Sequence, residues 1–226
     1  MIKEEIFNQY DKIPEKIYWK KKYFFIGLTG TIASGKTTVA ELFRKKGFKV
    51  WNADLIAKKM YKKTKIKKKI IDKFGKESYY DNGEVNTAFL AKSIFSDRKY
   101  VDWINSIIHP EVSRYTNIFL KCLKEGEVLV YDVPLLFESD LQKSYDFDLI
   151  LVIDAPTSQR MDRAQQRGWS KDEILNRERF QISPEVKRKL GDCVIWNDST
   201  LEKLNKKVDF LSKKIITSKL KMEANS

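Results

Sequence analysis

The stretch "GLTGTIASGKTTVA", residues 27–40, decides the fold. Its middle part, residues 30–37, fits the pattern G-x-x-x-x-G-K-[ST] at every fixed position. The two glycines let the backbone turn so that successive N–H groups point into one concavity, which suits an anion. Lys36 can reach the β- and γ-phosphates of a nucleotide, and the Thr37 hydroxyl can join the coordination shell of Mg²⁺. The residues predicted to hold the phosphates of a nucleotide are Gly30, Thr31, Ile32, Ala33, Ser34, Gly35, Lys36, Thr37 and Thr38.

The flanking sequence supports a phosphate site over a chance glycine-rich turn. "YFFIGL" (23–28) is typical of a buried strand. "KTTVAELFRKKG" (36–47) predicts a helix with Val39, Leu42 and Phe43 on one side and Gly47 at its end. A strand, a loop and a helix in this order are the setting that the motif requires.

Five segments have the pattern of strands, and several of them are continuous apolar runs typical of strands covered on both faces. They are residues 23–28, 48–53, 127–133, 148–155 and 193–197. Between them the periodicity is helical. The sequence therefore predicts an α/β fold with a doubly wound, parallel, five-stranded sheet.

Two of the connections are too long to be simple crossovers. Residues 55–126 contain about four helical stretches, and residues 157–190 are rich in arginine. Such segments suit a kinase with a helical substrate-binding insertion and a mobile helical lid, whose arginines close over the transferred phosphoryl group. The predicted organisation is an N-terminal extension (1–22), a kinase domain (23–211) with these two insertions, and a C-terminal tail (212–226).

The 226-residue chain has a formal net charge of +13, and this charge is unevenly distributed. Residues 58–76 contain ten lysines and one aspartate, a local net charge of +9. Ile66, Ile70 and Phe74 recur four apart there, which predicts an amphipathic helix with a lysine-covered outer face. A solvated helix face is the simplest interpretation; steering of an anionic substrate and contact with nucleic acid are the alternatives.

Composition also limits where the protein works. No stretch of about 20 apolar residues predicts a membrane span. The two cysteines, Cys122 and Cys193, are far apart and have no neighbours suggesting metal or redox chemistry. We therefore expect a reduced, cytoplasmic protein without a membrane partner.

Two aspartates follow predicted strands. Asp54 comes at the end of strand 2, beside the phosphate loop, where a carboxylate could accept a hydroxyl proton during phosphoryl transfer or align that hydroxyl. The alternative for Asp54 is a helix N-cap. Asp132 ends the apolar strand 3, a pattern typical of a carboxylate that holds Mg²⁺ directly or through water.

Three further residues are candidates for substrate binding. Leu136 belongs to an apolar wall predicted beside the site, and Glu138 could position the substrate or be a surface glutamate. His109 is the only histidine and precedes Pro110, which is predicted to start a helix. A structural capping role for His109 and a polar contact to the substrate are both open.

Together these stretches resemble the dephospho-CoA kinase family over roughly residues 24–210. The similar stretches are "GLTGTIASGKTT", "NADLIA", "IHPEV", "DVPLLFES", the arginine segment and "GDCVIWND". The phosphate loop is common to many kinases. The order of the next three stretches is much more specific to this family.

The resemblance implies a P-loop kinase fold and transfer of the γ-phosphate of ATP, with Mg²⁺, to the ribose 3′-hydroxyl of dephospho-CoA. It implies that Asp54 is the base, that Arg163 and Arg167 are lid arginines, and that Arg177 and Gln181 form an R-x-x-x-Q element. The chain departs from the family pattern in several places. The lid motif around Gln159 aligns only after a shift of one residue, and the N-terminal extension and the lysine-rich stretch lie outside the pattern. The family usually has Asp-Ala-Asp where this chain has Asn52-Ala53-Asp54.

Two other functions remain as alternatives. Another small nucleoside or nucleotide kinase is disfavoured because "DVPLLFE" replaces the Gly-Phe-Pro-Arg-like stretch usual in monophosphate kinases. A nucleic-acid-binding ATPase would explain the net charge but would interleave aromatic and basic residues. We therefore expect a small-molecule substrate, no nucleic-acid partner, and a monomer or weak homo-oligomer.

Overall fold

The computed structural model describes residues 6–94 and 97–223, with side chains as far as residue 220. A five-stranded parallel sheet with the order β2-β3-β1-β4-β5 forms its centre. The strands are β1 (Phe24–Gly30), β2 (Lys49–Asn52), β3 (Val128–Asp132), β4 (Leu149–Asp154) and β5 (Cys193–Trp196). The fold class and all five strands predicted from the sequence are confirmed.

The helices of the described residues follow the predicted alternation with the strands. They are α1 (Lys36–Lys45), α2 (Ala53–Met60), α3 (Thr64–Phe74), α4 (Thr87–Ile94), α5 (Arg98–Lys121), α6 (Leu141–Ser144), α7 (Thr157–Gln165), α8 (Lys171–Glu178), α9 (Pro184–Leu190) and α10 (Leu201–Glu223). A short 3₁₀ helix, Lys76–Ser78, follows α3.

The central strand β1 is buried along its whole length because both faces of the sheet are covered. Phe24, Ile26 and Leu28 pack into a large apolar core that also contains residues of α1 and α10. Phe25 belongs to the other face, where its ring packs against Phe147 at 4.6 Å and Tyr131 at 6.1 Å. The alternation along the strand thus explains its continuous apolar sequence.

The parallel pairing fixes which strand ends lie next to one another. Leu28 of β1 pairs with Asp132 of β3, and Gly30 pairs with Ile153 of β4. The carboxyl ends of parallel strands share one edge of the sheet. The loop after β1 therefore begins beside the last residues of β3 and β4, at the point where the strand order reverses.

The chain divides into two compact units. The sheet unit contains the described residues up to Trp51 and from Lys124 onwards, and the helical unit is Asn52–Leu123. The helical unit comes close to the predicted insertion at 55–126. Its helices α2, α3, α4 and α5 match the four helical stretches expected there.

The predicted helix start at Pro110 is wrong. Pro110 lies inside α5, which runs without interruption from Arg98 to Lys121. The buried residues of α5 recur every four positions: Ile104, Ile108, Val112, Thr116 and Leu120. This continuous buried stripe packs the helix on both sides of Pro110 and outweighs the hydrogen bond that proline cannot make.

The lysine-rich stretch 58–76 is not one helix. It contains the end of α2, a break, all of α3 and the start of the 3₁₀ helix. Within α3 the predicted amphipathic pattern is confirmed, since Ile66 and Ile70 are buried and the rings of Phe74 and Trp103 pack at 5.6 Å.

The predicted boundary of a C-terminal tail after residue 211 is also wrong. Helix α10 continues to Glu223, and Leu211 and Ile215 are both fully buried in the core of the sheet unit. The heptad-like continuation of apolar residues past 211 is the physical reason. Residues 224–226 of the predicted tail lie outside the described residues.

The described part of the N-terminal extension packs on the sheet unit. Lys12 exchanges backbone hydrogen bonds with Val194 of the last strand, at 2.9 and 2.7 Å. Trp19 is buried, and its indole N–H donates to the carbonyl of Ile215 at 3.1 Å. Residues 1–5 lie outside the described residues. Within the described part of the chain, no helix has the length and apolar character needed to cross a bilayer.

Candidate active site

The loop after β1 has the backbone geometry of an anion-binding nest. Ala33 and Gly35 both adopt left-handed backbone conformations, with φ of 57° and 96°. Helix α1 begins directly afterwards at Lys36. Left-handed residues at these positions turn consecutive amides toward one point, and the helix N-terminus adds its positive end to the same place.

Both fixed glycines of the loop are required by close contacts. A Cβ at Gly30 would collide with the carbonyl oxygen of Ile153 in β4. One at Gly35 would meet the side-chain nitrogen of Asn197, which its hydrogen bond to Ser34 holds in place, and it would be strained by the φ of 96°. The spacing of the motif therefore follows from how closely the loop packs on the ends of β4 and β5.

Side chains at the ends of the neighbouring strands hold the loop in place. Asn197, just after β5, donates from its amide to the carbonyl of Ser34 at 2.8 Å. The Thr31 hydroxyl donates to Oδ1 of Asp154, at the end of β4, at 2.6 Å. The Ser34 hydroxyl is buried and has no hydrogen-bond partner among the described residues. An orphaned donor inside an amide nest fits a bound phosphate oxygen.

The loop lysine forms an ion pair with Asp132, the last residue of β3. Asp132 is almost fully buried, with 1% of its surface exposed. Thr37 follows Lys36 in the first turn of α1, and Asp132 is the ion-pair partner of that lysine. Thr37 and Asp132, the two residues predicted to bind a metal, thus belong to the same unit.

The described residues contain no cluster of three or more His, Cys, Asp or Glu side chains arranged to hold a metal ion. The oxygens that this part of the sheet unit offers are the Thr37 hydroxyl and the Asp132 carboxylate. Oxygen donors of this kind suit Mg²⁺, which keeps several waters and uses substrate phosphates as further ligands. The donor set therefore fits the predicted metal.

Arg163 lies against the phosphate loop. Its guanidinium donates to the Asn197 carbonyl at 3.0 Å and to the Gln159 side chain at 2.9 Å, and it lies 3.5 Å from the Ser34 carbonyl. Burial and, secondarily, the positive charge of Arg167 lower the pKa of Arg163. The structure thus brings the predicted arginine pair together, with Arg167 on the exposed side.

The arginine-rich segment 157–190 forms the helices α7, α8 and α9. Ala164 of α7 and Ile174 of α8 pack with Ala33 of the phosphate loop in a small apolar cluster. Arg160, which is 5% exposed, joins α7 to α8 through an ion pair with Glu178 at 2.7 Å. Apolar packing therefore joins this segment to the phosphate loop, and the Arg160–Glu178 ion pair joins its helices α7 and α8 to each other.

The R-x-x-x-Q element is split between two environments. Arg177 is exposed and its guanidinium lies over the Trp169 ring, 4.3 Å from the centroid. The Gln181 side chain instead accepts a hydrogen bond from Lys187 at 2.9 Å.

Glu138 is not the surface glutamate that the sequence left open. Its side chain is 11% exposed and forms an ion pair with Lys187 at 3.0 Å. The same oxygen, Oε1, accepts from the backbone N–H of Ile182 at 3.0 Å. The second oxygen, Oε2, is buried without a hydrogen-bond partner in the described chain.

The prediction that the Leu136 side chain contacts the substrate is wrong. Leu136 is fully buried, and it packs so closely on Gly27 of β1 that a Cβ there would lie 2.7 Å from its Cδ1. A side chain with no exposed surface supports the sheet instead of presenting an apolar wall to a ligand.

In the helical unit, the structure separates the roles of Asn52 and Asp54. Asn52 is the N-cap of α2, and its side-chain oxygen accepts from the Leu55 N–H at 2.8 Å. Asp54 is exposed in the first turn of that helix. The alternative interpretation of Asp54 as the N-cap is therefore wrong, because the residue two positions earlier occupies that position.

His109 does not cap a helix, because it lies in the middle of α5. The side chain is exposed at its surface, and partial desolvation lowers its pKa below the ordinary value. A polar contact between His109 and the substrate stays a prediction.

Several functional candidates were missed by the sequence reasoning. They are Asp154, Arg160, Lys187, Arg188 and Asn197. Asp154 and Asn197 each follow a buried strand, so the strand-end rule that found Asp132 could have found them too. Arg188 pairs with Asp154, but nothing in its local sequence distinguishes this arginine or the neighbouring lysine from solvated helix residues.

A parallel sheet with a phosphate loop after its central strand, a loop lysine paired with a buried strand-end aspartate, and arginines against the loop define the class of P-loop kinases. Comparisons with known proteins identify the family within this class.

The family model described as CoaE, dephospho-CoA kinase, matches residues 24–203. The dephospho-CoA kinase of Fusobacterium nucleatum is 38% identical over 185 residues, covering 81% of this chain and 94% of the relative. That of Listeria monocytogenes serovar 1/2a is 35% identical over 197 residues, covering 86% of this chain and 98% of the relative.

Solved structures agree in fold. The crystal structure of TT1252 from Thermus thermophilus is similar with a TM-score of 0.73 and 32% identity, over 86% of this chain and 99% of that one. The dephospho-CoA kinase of Campylobacter jejuni has a TM-score of 0.62 and 22% identity, over 86% of this chain and 98% of that one, and supports the fold alone. The chain belongs to the dephospho-CoA kinase family, the ATP-dependent kinases of the final step of coenzyme A biosynthesis.

Proposed function

We propose that this chain transfers the γ-phosphate of ATP to the 3′-hydroxyl of the ribose of dephospho-CoA, giving CoA and ADP. The observation that carries the proposal is the family match over residues 24–203. This range includes the phosphate loop, Asp54, Asp132 and the arginine segment.

The phosphate loop supplies most of the electrostatic stabilisation in this account. Amides of residues 30–38 and the ammonium of Lys36 hold the β- and γ-phosphates, with the buried Ser34 hydroxyl as a further donor. Arg163, which contacts the carbonyls of Ser34 in the loop and of Asn197 after β5, and its neighbour Arg167 offset negative charge on the transferred group. Little covalent chemistry is required of the protein.

We assign the metal to the Thr37 hydroxyl and the Asp132 carboxylate. Bound Mg²⁺ would neutralise charge on the β- and γ-phosphates as it develops. Asp132 also holds Lys36 through their ion pair. This ion pair fixes the direction of the lysine side chain at the end of β3.

The acceptor side rests on Asp54, which we assign to orienting the ribose hydroxyl and accepting its proton. Its side chain is exposed in the first turn of α2. His109, Arg177 and Gln181 are proposed substrate contacts. The unpartnered Oε2 of Glu138 is a further acceptor for a substrate hydroxyl or amide.

We also propose a cytoplasmic monomer or weak homo-oligomer that acts on a small molecule, with neither nucleic acid nor membrane as a partner. In α3, part of the lysine-rich stretch, Ile66 and Ile70 are buried, which is the pattern of an amphipathic helix with a solvated basic face. Such a face needs no nucleic-acid partner to explain it. The two cysteines are free, which suits a reducing compartment.

The proposal is tested by ADP release from ATP and Mg²⁺ with different acceptors. We expect release with dephospho-CoA and only background release with AMP, CMP, adenosine or pantothenate. Release with AMP or CMP instead would make the protein a nucleotide kinase. Release stimulated by DNA alone would support the nucleic-acid-binding ATPase.

The role of Asp54 is tested by Asp54→Asn. We expect kcat to fall by about 100-fold or more, because a positioned base contributes roughly 10²–10⁴ to the rate. The Kd of ATP, measured by calorimetry, should change little, since this carboxylate does not hold the nucleotide. Equal losses in kcat and in ATP affinity would show that Asp54 is structural.

A further inference from the structure

Lys187 of α9 is a fully buried lysine, with 0% of its surface exposed. Its ammonium lies 3.0 Å from the Glu138 carboxylate and 2.9 Å from the Gln181 side-chain oxygen. It also donates to the carbonyls of Gly30 at 3.2 Å and Pro134 at 3.3 Å. A lysine taken out of water requires partners of this kind, because an unpaired buried charge is strongly destabilising.

The partners of Lys187 come from three segments that carry ligand-binding residues. Gly30 is the first residue of the phosphate loop. Pro134 and Glu138 follow Asp132 in the connection after β3, and Gln181 belongs to the arginine segment. Glu138 reinforces the link, because it also accepts from the Ile182 N–H at 3.0 Å. One ion pair therefore joins the loop, the Asp132 connection and the arginine segment within the sheet unit.

The charges around Lys187 connect it further to the phosphate site. Burial lowers the pKa of Lys187, the Glu138 carboxylate opposes this effect, and the charge of Lys36 adds to it. The positive charge of Lys36 thus acts on Lys187, although none of the contacts described above joins the two side chains directly.

We propose that Lys187 is a positioning residue for phosphoryl transfer: paired with Glu138, it fixes the first residue of the phosphate loop relative to the Asp132 connection and anchors the end of the arginine segment. This inference rests on the proposed function in so far as it requires a phosphoryl-transfer reaction. It does not depend on which acceptor is used.

A purely stabilising role makes a different prediction. A buried ion pair can often be replaced by neutral residues at little or no cost to stability, whereas removal of one partner leaves an uncompensated charge. The carbonyls of Gly30 and Pro134, however, lose the Lys187 ammonium in every variant that lacks Lys187. The Thr29 hydroxyl still donates to Pro134 at 2.9 Å but does not join the loop to the arginine segment. Stability can therefore recover in a double variant while loop geometry does not.

The experiment compares Lys187→Met, Glu138→Gln and the double variant with the wild-type protein. The free energy of unfolding, kcat and the KM for ATP are measured for each. We expect Lys187→Met to lose stability, and the double variant to regain most of it. We expect kcat of the double variant to stay about 100-fold below that of Glu138→Gln, since displacements of about 1 Å can have this effect. The KM for ATP should change much less.

Comparison with Glu138→Gln matters because Glu138 is itself a proposed substrate contact. If the double variant has the same kcat as Glu138→Gln, Lys187 acts only through stability and the proposal is overturned. Lys189→Met, an exposed lysine on the same helix, is the matched control and should leave stability and kcat unchanged.

The acceptor used is whichever one the wild-type protein phosphorylates. Failure of dephospho-CoA as acceptor would overturn the proposed function and leave the comparison of variants intact. Wild-type kcat in Lys187→Met would overturn the positioning role whatever the acceptor.

Discussion

At the scale of the residue, Asn52 fixes the start of α2. Its side-chain oxygen caps α2 through the Leu55 N–H. Asn and Asp are equally good at this position, because each offers an oxygen to the first free amides of a helix. An aspartate at position 52, as the resemblance leads us to expect, would therefore keep the cap and leave Asp54 in the first turn.

We predict that Asn52→Ala lowers the free energy of unfolding by about 1 kcal/mol, the usual cost of losing an N-cap. Asn52→Asp should keep wild-type stability or slightly exceed it, since a negative charge is favourable at a helix N-terminus. Denaturant unfolding of both variants measures this. An aspartate variant as unstable as the alanine variant would show that the cap is not what Asn52 provides.

Single residues also show where sequence reasoning reaches its limit. The position of Asp132 at the end of β3 was predictable, because a carboxylate directly after an apolar run stands out in the sequence. Its metal-binding role stays a prediction. Lys187 was not predictable, because a lysine among "EVKRKL" has the sequence pattern of a solvated helix face, and only the packed fold reveals its burial. Leu136 was misassigned for the same reason: apolar residues beside a site can face the ligand or the core.

At the scale of the element, Tyr79 connects the 3₁₀ region of the helical unit to the end of α2. Its hydroxyl donates to the carbonyl of Tyr61 at 2.8 Å. Burial, with a smaller contribution from Tyr61, raises the pKa of Tyr79 from 10.0 to about 12.

The consequence is a pH dependence in the alkaline range. Between pH 10 and about 12 the folded chain keeps a proton that the unfolded chain loses, so the contribution of Tyr79 to stability is complete below pH 10 and declines as pH rises. The absorbance of tyrosinate at 295 nm, taken as wild type minus Tyr79→Phe, should titrate near pH 12. In denaturant the difference should return to the ordinary value. A midpoint near pH 10 in the folded protein would contradict the burial of this hydroxyl.

Elements were predicted best where one signal dominated. Buried parallel strands were recognisable because both faces are apolar, as for β1 and β4. Helix α5 was divided wrongly at Pro110 because the local rule for proline was given more weight than the buried stripe from Ile104 to Leu120. That stripe stabilises the helix only through its packing, which sequence alone does not show.

At the scale of the whole molecule, the described N-terminal residues belong to the core of the sheet unit. They precede the range matched by the family model, which begins at residue 24. Trp19 nevertheless packs on Phe24, with ring centroids 5.3 Å apart. Asp11 forms a buried ion pair with Lys207 of α10 at 2.7 Å.

We predict that Trp19→Ala lowers the free energy of unfolding by about 3–5 kcal/mol, as expected for loss of a buried tryptophan. Tyr18→Ala is the matched control, since Tyr18 is 65% exposed. Its effect should stay within about 0.5 kcal/mol. Urea unfolding of the two variants decides the matter, and equal stabilities would show that the extension is dispensable to the fold.

The central claim is that the chain moves a phosphoryl group from ATP to the ribose 3′-hydroxyl of dephospho-CoA. The most direct measurement is the position of the new phosphate in the product, determined by mass spectrometry together with phosphorus–proton correlation NMR. The account predicts a gain of one phosphoryl group, coupled to the proton on the 3′-carbon of the ribose. A phosphate at any other position, or an unchanged dephospho-CoA while ATP is consumed, would contradict it.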